Sequence, residues 1–179
     1  MAETLPPVVC IIGKKKSGKT TTVVGLVHEL VQRGYRVMTA KHGHYFELDK
    51  PGSDSYRHRH DAGAERVAIA GPDQVAVMGS WPDGHERPLQ DLVRDYLCDA
   101  EIVVAEGFKT APFPKIEVFR SSAHPEPLYG CDAAANGKYL AILADNAGPL
   151  APGVPVMDIN APNRFALLAD LLVAEFKLD

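Results

Sequence analysis

Gly13-Lys14-Lys15-Lys16-Ser17-Gly18-Lys19-Thr20 has the spacing G-x-x-x-x-G-K-[ST], the pattern of a loop that cradles phosphate groups. Gly13 and Gly18 lack Cβ atoms, so the backbone there can turn tightly and approach an anion closely. Successive amides then surround a phosphate, and a helix starting near Gly18 adds the positive end of its dipole. Lys19 supplies a full charge for the outer phosphates, and the Thr20 hydroxyl is placed to ligate Mg²⁺. Thr21 and Thr22 read either as contacts to the inner phosphates or as ordinary early-helix hydroxyls. Lys14, Lys15 and Lys16 read either as solvated lysines at the loop's mouth or as a source of one further phosphate contact. The candidate nucleotide contacts are therefore Gly13, Lys14, Lys16, Ser17, Gly18, Lys19, Thr20 and Thr21.

Other chemistry-bearing residues follow apolar runs. Glu106-Gly107-Phe108-Lys109 comes directly after Ile102–Ala105, where P-loop enzymes carry the acidic residue that holds Mg²⁺. Glu106 would bind the metal, directly or through water, or poise the attacking water; with Lys19 it forms the candidate catalytic pair. Lys41-His42-Gly43-His44 follows a second run, and its polar side chains could face the nucleotide or a second substrate. Asp49-Lys50-Pro51-Gly52-Ser53-Asp54-Ser55-Tyr56-Arg57 is dense in charge, Pro and Gly. It reads as a loop able to order around Mg²⁺ and a γ-phosphate. Asp49 is a candidate metal contact and Arg57 a phosphate contact; Lys41, His42, His44, Asp54, Arg57 and Lys109 make up a second-substrate or switch region. The guanine-reading pattern N-K-x-D is absent, which leaves Asp145 and Asn160, each after a strand, as candidates for reading a purine edge.

These residues need elements to position them. Val8–Ile12 is an uninterrupted, β-branched run, expected of a strand buried on both faces of a parallel sheet. Val23, Val24, Val27, Leu30 and Val31 recur at helical spacing, and Gly34 is a helix stop. Further strands are expected at 36–41, 102–105, 139–144 and 154–157. The segment 115–120 alternates apolar and polar residues as a strand does. Ser53 or Asp54 can cap a short helix reaching about Ala62. Helical stripes follow at Leu89, Leu92, Val93, Tyr96 and Leu97, and at Phe165, Leu168, Leu172 and Phe176. Segments 66–70 and 74–78, split by Gly71-Pro72-Asp73, read as a hairpin that either extends the sheet edge or pairs with another subunit. Strands alternating with helices predict an α/β protein: a three-layer P-loop NTPase fold with a mainly parallel sheet and a β-hairpin extension.

At 179 residues the chain suits one domain, 1–179, able to bury a core of its own. A net charge of −4 argues against general nucleic-acid binding. No stretch is apolar enough to span a membrane, and Met1–Leu5 lacks the features of a signal peptide. Cys10, Cys98 and Cys131 are widely spaced and odd in number, as expected for reduced thiols of the cytoplasm.

The order of motifs resembles the MobB family, molybdopterin-guanine dinucleotide biosynthesis adaptor proteins. It runs from the P-loop through Lys41-His42-x-His44, Asp49-Lys50-Pro51-Gly52-x-Asp54-Ser55-x-Arg57 and Ala62-Gly63-Ala64 to Glu106-Gly107-Phe108-Lys109 and Lys115-Ile116. The likeness extends to Asp158-Ile159-Asn160. The resemblance implies GTP and Mg²⁺ as ligands, weak GTPase activity, a homodimer, and help to the nucleotidyltransferase that joins GMP to molybdopterin. Molybdopterin is then a possible ligand too. Lys14 also holds the position of the signature lysine in deviant P-loops, which resemble this loop in part and whose proteins dimerise across their nucleotides. The triple lysine and Gly43 stand apart from the common pattern. Two alternatives stay open on the residues: a nickel or zinc metallochaperone GTPase, resting on the His pairs (42 with 44, 58 with 60), and a small-molecule kinase.

Overall fold

A computed structural model describes residues 5–43, 48–81, 83–131, 136–146 and 153–179. The described chain divides into two compact units, residues 1–42 with 88–179, and residues 43–87. The larger unit holds a six-stranded sheet in the order β2-β5-β1-β6-β7-β8. Its strands are β1 (Val8–Ile12), β2 (Val37–Lys41), β5 (Ile102–Glu106), β6 (Lys115–Phe119), β7 (Tyr139–Ala144) and β8 (Val156–Asp158). Every neighbouring pair is parallel. Helices α1 (Lys19–Gln32), α3 (Leu89–Tyr96) and α4 (Arg164–Phe176) cover it. The smaller unit holds α2 (Asp54–His60) and a separate antiparallel hairpin, β3 (Arg66–Ala70) with β4 (Val75–Gly79).

Strand periodicity sorts the core into two faces. Val9, Ile11, Ile102 and Val104 pack with Val23, Leu26 and Leu30 of α1 and Leu168, Ala169 and Leu172 of α4. Their neighbours Val8, Cys10, Ile12, Val103 and Ala105 pack with Leu89 and Val93 of α3. β1 and β5 are thus apolar throughout because both faces are covered. Cys10, fully buried there, has its thiol pushed up to about 12 by desolvation, with Lys115 opposing. The valine stripe expected along α1 is only partly its core face. Val24 and Val31 are exposed, while Thr22, Val23, Leu26 and Leu30 are buried. α4 explains the shift. A Cβ on Gly25 would sit 2.2 Å from the Phe165 ring, so α1 turns its glycine toward α4 to let the helices approach.

β6 departs from its expected character. It alternates in sequence yet is buried at every residue, with Lys115 and Glu117 at 0% and 1% exposure. The face carrying those two charges is covered by loops rather than by a helix, and buried loop backbone needs hydrogen-bond partners. Lys115 Nζ donates to the carbonyls of Ala111 (2.5 Å), Phe113 (3.2 Å) and Asn136. Burial lowers its pKa, with Cys10 opposing. Glu117 accepts the amides of Leu128 (2.5 Å) and Tyr129 (2.9 Å). Burial raises its pKa and those two amides pull it back. Among the described residues, no helix is long and apolar enough to cross a membrane.

Replacing Lys115 by Met strands three carbonyls, each costing about 1–3 kcal/mol if left unpaired in the interior. Lys115→Met should therefore lose roughly 3 kcal/mol or more of unfolding free energy in urea titration; a loss under about 1 kcal/mol would show that water replaces the ammonium without difficulty.

Candidate functional site

β1 lies between β5 and β6, the point at which the chain's progress across the sheet reverses, and ligands of open α/β sheets bind beyond the strand ends at such a point. The loop at the end of β1 turns tightly, with no room for a side chain at its first residue. Gly13 has φ 150°, and a Cβ there would lie 2.4 Å from the Val118 carbonyl oxygen and 2.6 Å from Ser17 Oγ. Lys16, at φ 65°, holds a left-handed step that costs a non-glycine residue about 1 kcal/mol. Such a step is what an inward-facing nest of amides requires. Gly18, at φ 103°, then starts α1, and no side chain caps the helix. Its first amides are left for a ligand.

Ser17 is the clearest sign of what is meant to bind. It is 2% exposed, and among the described residues its Oγ has no hydrogen-bond partner. An orphaned buried hydroxyl costs about 1–3 kcal/mol, and a phosphate oxygen in the loop would relieve it. Lys19 Nζ folds back to donate to the Lys14 carbonyl at 2.9 Å. Its pKa is lowered, first by partial burial; Glu106 opposes that shift and Lys41 adds to it. Lys15 and Lys16 are exposed, as is Thr21, while Thr22 is buried and donates to the Gly18 carbonyl at 3.1 Å.

Glu106 ends β5 beside this loop. In register, Glu106 lies opposite Ile11 of β1 and Lys41 of β2. Thr20 Oγ1 donates to Glu106 Oε1 at 2.9 Å, and Lys41 Nζ stands 3.4 Å from the same oxygen. Adjacent ligands on a Mg²⁺ octahedron with bonds of 2.0–2.1 Å are also about 2.9 Å apart. The Thr20 hydroxyl and the Glu106 carboxylate thus have the spacing of two Mg²⁺ ligands, with the Lys41 ammonium on the same carboxylate oxygen.

The turn after Glu106 is held against β2's end. Gly107 (φ 90°) and Phe108 (φ 49°) are both left-handed. The His42 amide donates to the Glu106 carbonyl at 2.9 Å, and the His42 ring meets Phe108 edge-on at 5.4 Å. Lys109 is exposed beyond them. His44 lies outside the described residues. In the smaller unit, Asp49 Oδ1 accepts the Ser53 and Ser55 hydroxyls, both at 2.9 Å. Asp49 Oδ2 is buried with no partner among the described residues. Ser53, of the two capping candidates, caps α2 by accepting the Tyr56 amide at 3.2 Å. Asp54 opens that helix, Arg57 pairs with Asp61 at 3.4 Å, and His60 stacks on Tyr56 at 4.0 Å. Among the described residues, no three His, Cys, Asp or Glu side chains converge as a metal-binding group.

Two residues on the β6 side have no mark in the sequence. His124 brings a ring nitrogen within 2.6 Å of the Lys15 carbonyl, pinning the loop's tip. Ser121 donates its amide to Asp145 Oδ1 at 2.8 Å, which lowers the Asp145 pKa. Asp145 thus anchors a turn as well as standing at β7's end. Asn160 is exposed just past β8, and its amide donates to Asp158 Oδ1 at 2.8 Å.

Strand order, loop and flanking carboxylate define a P-loop nucleoside-triphosphatase fold. A family model for molybdopterin guanine dinucleotide synthesis protein B, MobB, matches residues 8–145, and the chain belongs to that family. It is 34% identical over 173 residues to the molybdopterin-guanine dinucleotide biosynthesis adapter protein of Haemophilus influenzae, covering 93% of this chain and 87% of that one. Against the Escherichia coli protein of the same name the identity is 33% over 160 residues, 88% of each chain. The fold is that of a solved molybdopterin-guanine biosynthesis protein B (TM-score 0.72, 23% identity, 95% and 99% coverage). It is also that of Bacillus subtilis MobB (TM-score 0.69, 20% identity, 92% and 97% coverage).

Gly13→Ala would drive a methyl group into the Val118 carbonyl, a backbone atom that cannot step aside. We expect a loss of about 1–3 kcal/mol in chemical denaturation, the usual range for overpacking, together with loss of nucleotide binding. Unchanged stability would mean that the loop is more pliable than its geometry indicates.

Proposed function

We propose that this chain is a GTP-binding adapter that helps a nucleotidyltransferase attach GMP to molybdopterin. The adapter role in molybdopterin guanine dinucleotide synthesis follows from the family and from the names of its relatives. The observation that carries the nucleotide reading is the orphaned Ser17 hydroxyl within the uncapped loop, next to Lys19. Residues 1–179 act as one nucleotide-binding domain, with 43–87 inserted between β2 and α3.

Lys19, the loop amides and the neighbouring Lys14 and Lys16 hold the phosphates, and Thr21 lies toward the inner ones. Thr20 and Glu106 are the residues that would hold Mg²⁺, which would supply charge neutralisation at the phosphates. Alternatively, Glu106 would poise the attacking water instead of holding the metal. Asp145 and Asn160 read the purine edge; the carboxylate of Asp145 has acceptor capacity beyond the Ser121 amide. Lys41, His42 and Lys109 face the second substrate, molybdopterin or its nucleotide. Asp49, Asp54 and Arg57 belong to the switch region, with Asp49 the candidate metal contact and Arg57 the candidate phosphate contact. No arginine is assigned to the γ-phosphate, so intrinsic hydrolysis is slow, on the order of 10⁻⁴–10⁻³ s⁻¹. The exposed apolar residues of the hairpin, Ile69, Val75 and Val77, support a homodimer, since a lone two-stranded ribbon is marginal in water. The free cysteines suit a reducing cytoplasm.

Calorimetry tests the nucleotide reading directly. Wild-type protein should bind GTP with Mg²⁺, and Lys19→Ala should lose most of that binding. Glu106→Gln should keep nucleotide binding in EDTA while Mg²⁺-dependent hydrolysis falls by about 10²-fold, the scale of losing one positioned charge. Wild-type turnover of many per second on GTP alone would overturn the adapter reading. Co-purification of the nucleotidyltransferase and a pterin from cell extract tests the partner.

A further inference from the structure

β6 ends one residue before Arg120, whose side chain has no role in the reading above. Val118 and Arg120, two apart on an extended segment, face the same side. That side is the start of α1: a Cβ built on Gly18 would lie 3.8 Å from Val118 Cγ1 and 3.6 Å from Arg120 Nε. The half-buried guanidinium therefore rests against the residue that opens the helix. Among the described residues it forms no hydrogen bond and no salt bridge, although it carries five N–H donors.

That position is electrostatically unfavourable for a cation without an anion. The first turn of α1 presents the positive end of the helix dipole and contains no acidic residue, and Lys19 adds a full charge nearby. The backbone nevertheless takes trouble to keep Arg120 there. The Arg120 carbonyl accepts the amides of Ala123 (3.1 Å) and His124 (3.0 Å), closing a tight turn. The His124 ring ties that turn to the Lys15 carbonyl, and the Ser121 amide ties it to Asp145. Independently, the Ser17 hydroxyl, also inside the loop, is buried and has no partner among the described residues. A guanidinium has the planar fork that matches phosphate oxygens two at a time.

We propose that Arg120 is a phosphate-binding residue of this site, contacting the α–β diphosphate portion of the nucleotide. The inference rests on the nucleotide reading above. Glu106, Thr20 and Lys41 mark the outer-phosphate end on the β5 side, and Asp145 and Asn160 mark the base end on the β7 and β8 side. Arg120, just past the end of β6 and between them, meets the stretch that GTP and GDP share. It acts on affinity rather than on the departure of the γ-phosphate.

The test is titration of GTP and GDP into full-length wild type, Arg120→Ala and Arg120→Lys, with Mg²⁺, alongside thermal melting of each protein without nucleotide. Arg120→Ala should weaken GTP and GDP alike by about 10- to 100-fold, the scale of losing a charge-assisted hydrogen bond. Arg120→Lys should recover part of the affinity, because it restores the charge without the fork. Equal affinity of wild type and Arg120→Ala, at unchanged melting temperature, would overturn the proposal while leaving the nucleotide site intact. Weakening of GTP but not GDP would also overturn it, since the contact would then be to the γ-phosphate. If Arg120→Ala melts early, Arg120→Lys decides: affinity tenfold down with normal melting upholds a phosphate contact, and wild-type affinity overturns it. Wild type that binds neither nucleotide would sink the site itself, and this inference with it.

Discussion

One hydrogen bond joins the two halves of the proposed chemistry. Thr20 and Glu106 are 86 residues apart in sequence, and their oxygens lie 2.9 Å apart. That spacing exists because β5 pairs with β1 in a register that sets Glu106 beside Ile11, at the lip of the loop. The strands supply the rigidity, since each is buried on both faces and a fully buried aliphatic side chain contributes about 1.5–3 kcal/mol. The hydroxyl and carboxylate supply a pair of oxygens spaced for a hard cation. Lys19 and Lys41 on either side keep the carboxylate from standing as an isolated negative charge. A register slip of one residue in β5 would turn the carboxylate to the other face and leave Thr20 without its partner.

The opposite flank of the loop follows a different economy of charge. Lys115 and Glu117 sit in the sheet's interior without an ion pair between them, each satisfied by main-chain groups of the covering loops. A helix laid over β6 would have satisfied its own backbone and asked for apolar residues beneath. Loops leave carbonyls and amides unpaired, and the strand answers with a cation and an anion two residues apart. Gly137 belongs to the same arrangement. Its φ of 92° and the 2.2 Å gap between its missing Cβ and the Phe113 carbonyl leave no room for a side chain over Lys115.

Much of the fold was legible because its signals are local. The run Val8–Ile12, the P-loop spacing and the stop at Gly34 each need fewer than ten residues to be read. Glu106 was legible for the same reason, as a carboxylate directly after an apolar run. What escaped depends on contacts between distant segments. Val24 and Val31 have helical spacing, yet the helix turns Gly25 and Leu26 inward because Phe165 needs the room. Lys115 and Glu117 look like the wet side of an amphipathic strand, since nothing in K-I-E-V-F reveals that loops will cover it. Asp145 is visible as a post-strand carboxylate, but the claim that the Ser121 amide makes on it arises only once β6 and β7 are neighbours. His124 has no sequence signal, because its partner is a backbone carbonyl 109 residues away.

The close approach of α4 to α1 at Gly25 also bears on how the molecule is born. The P-loop and α1 precede α4 along the chain, so they leave the ribosome before the helix that packs behind them. Until Phe165 arrives, the groove along Gly25 is empty and α1 exposes Leu26 and Leu30 to solvent or to chaperones. Long-range parallel pairing forms late for the same entropic reason. A nascent chain therefore carries its glycine-rich loop before it has the helix that stiffens the segment behind that loop.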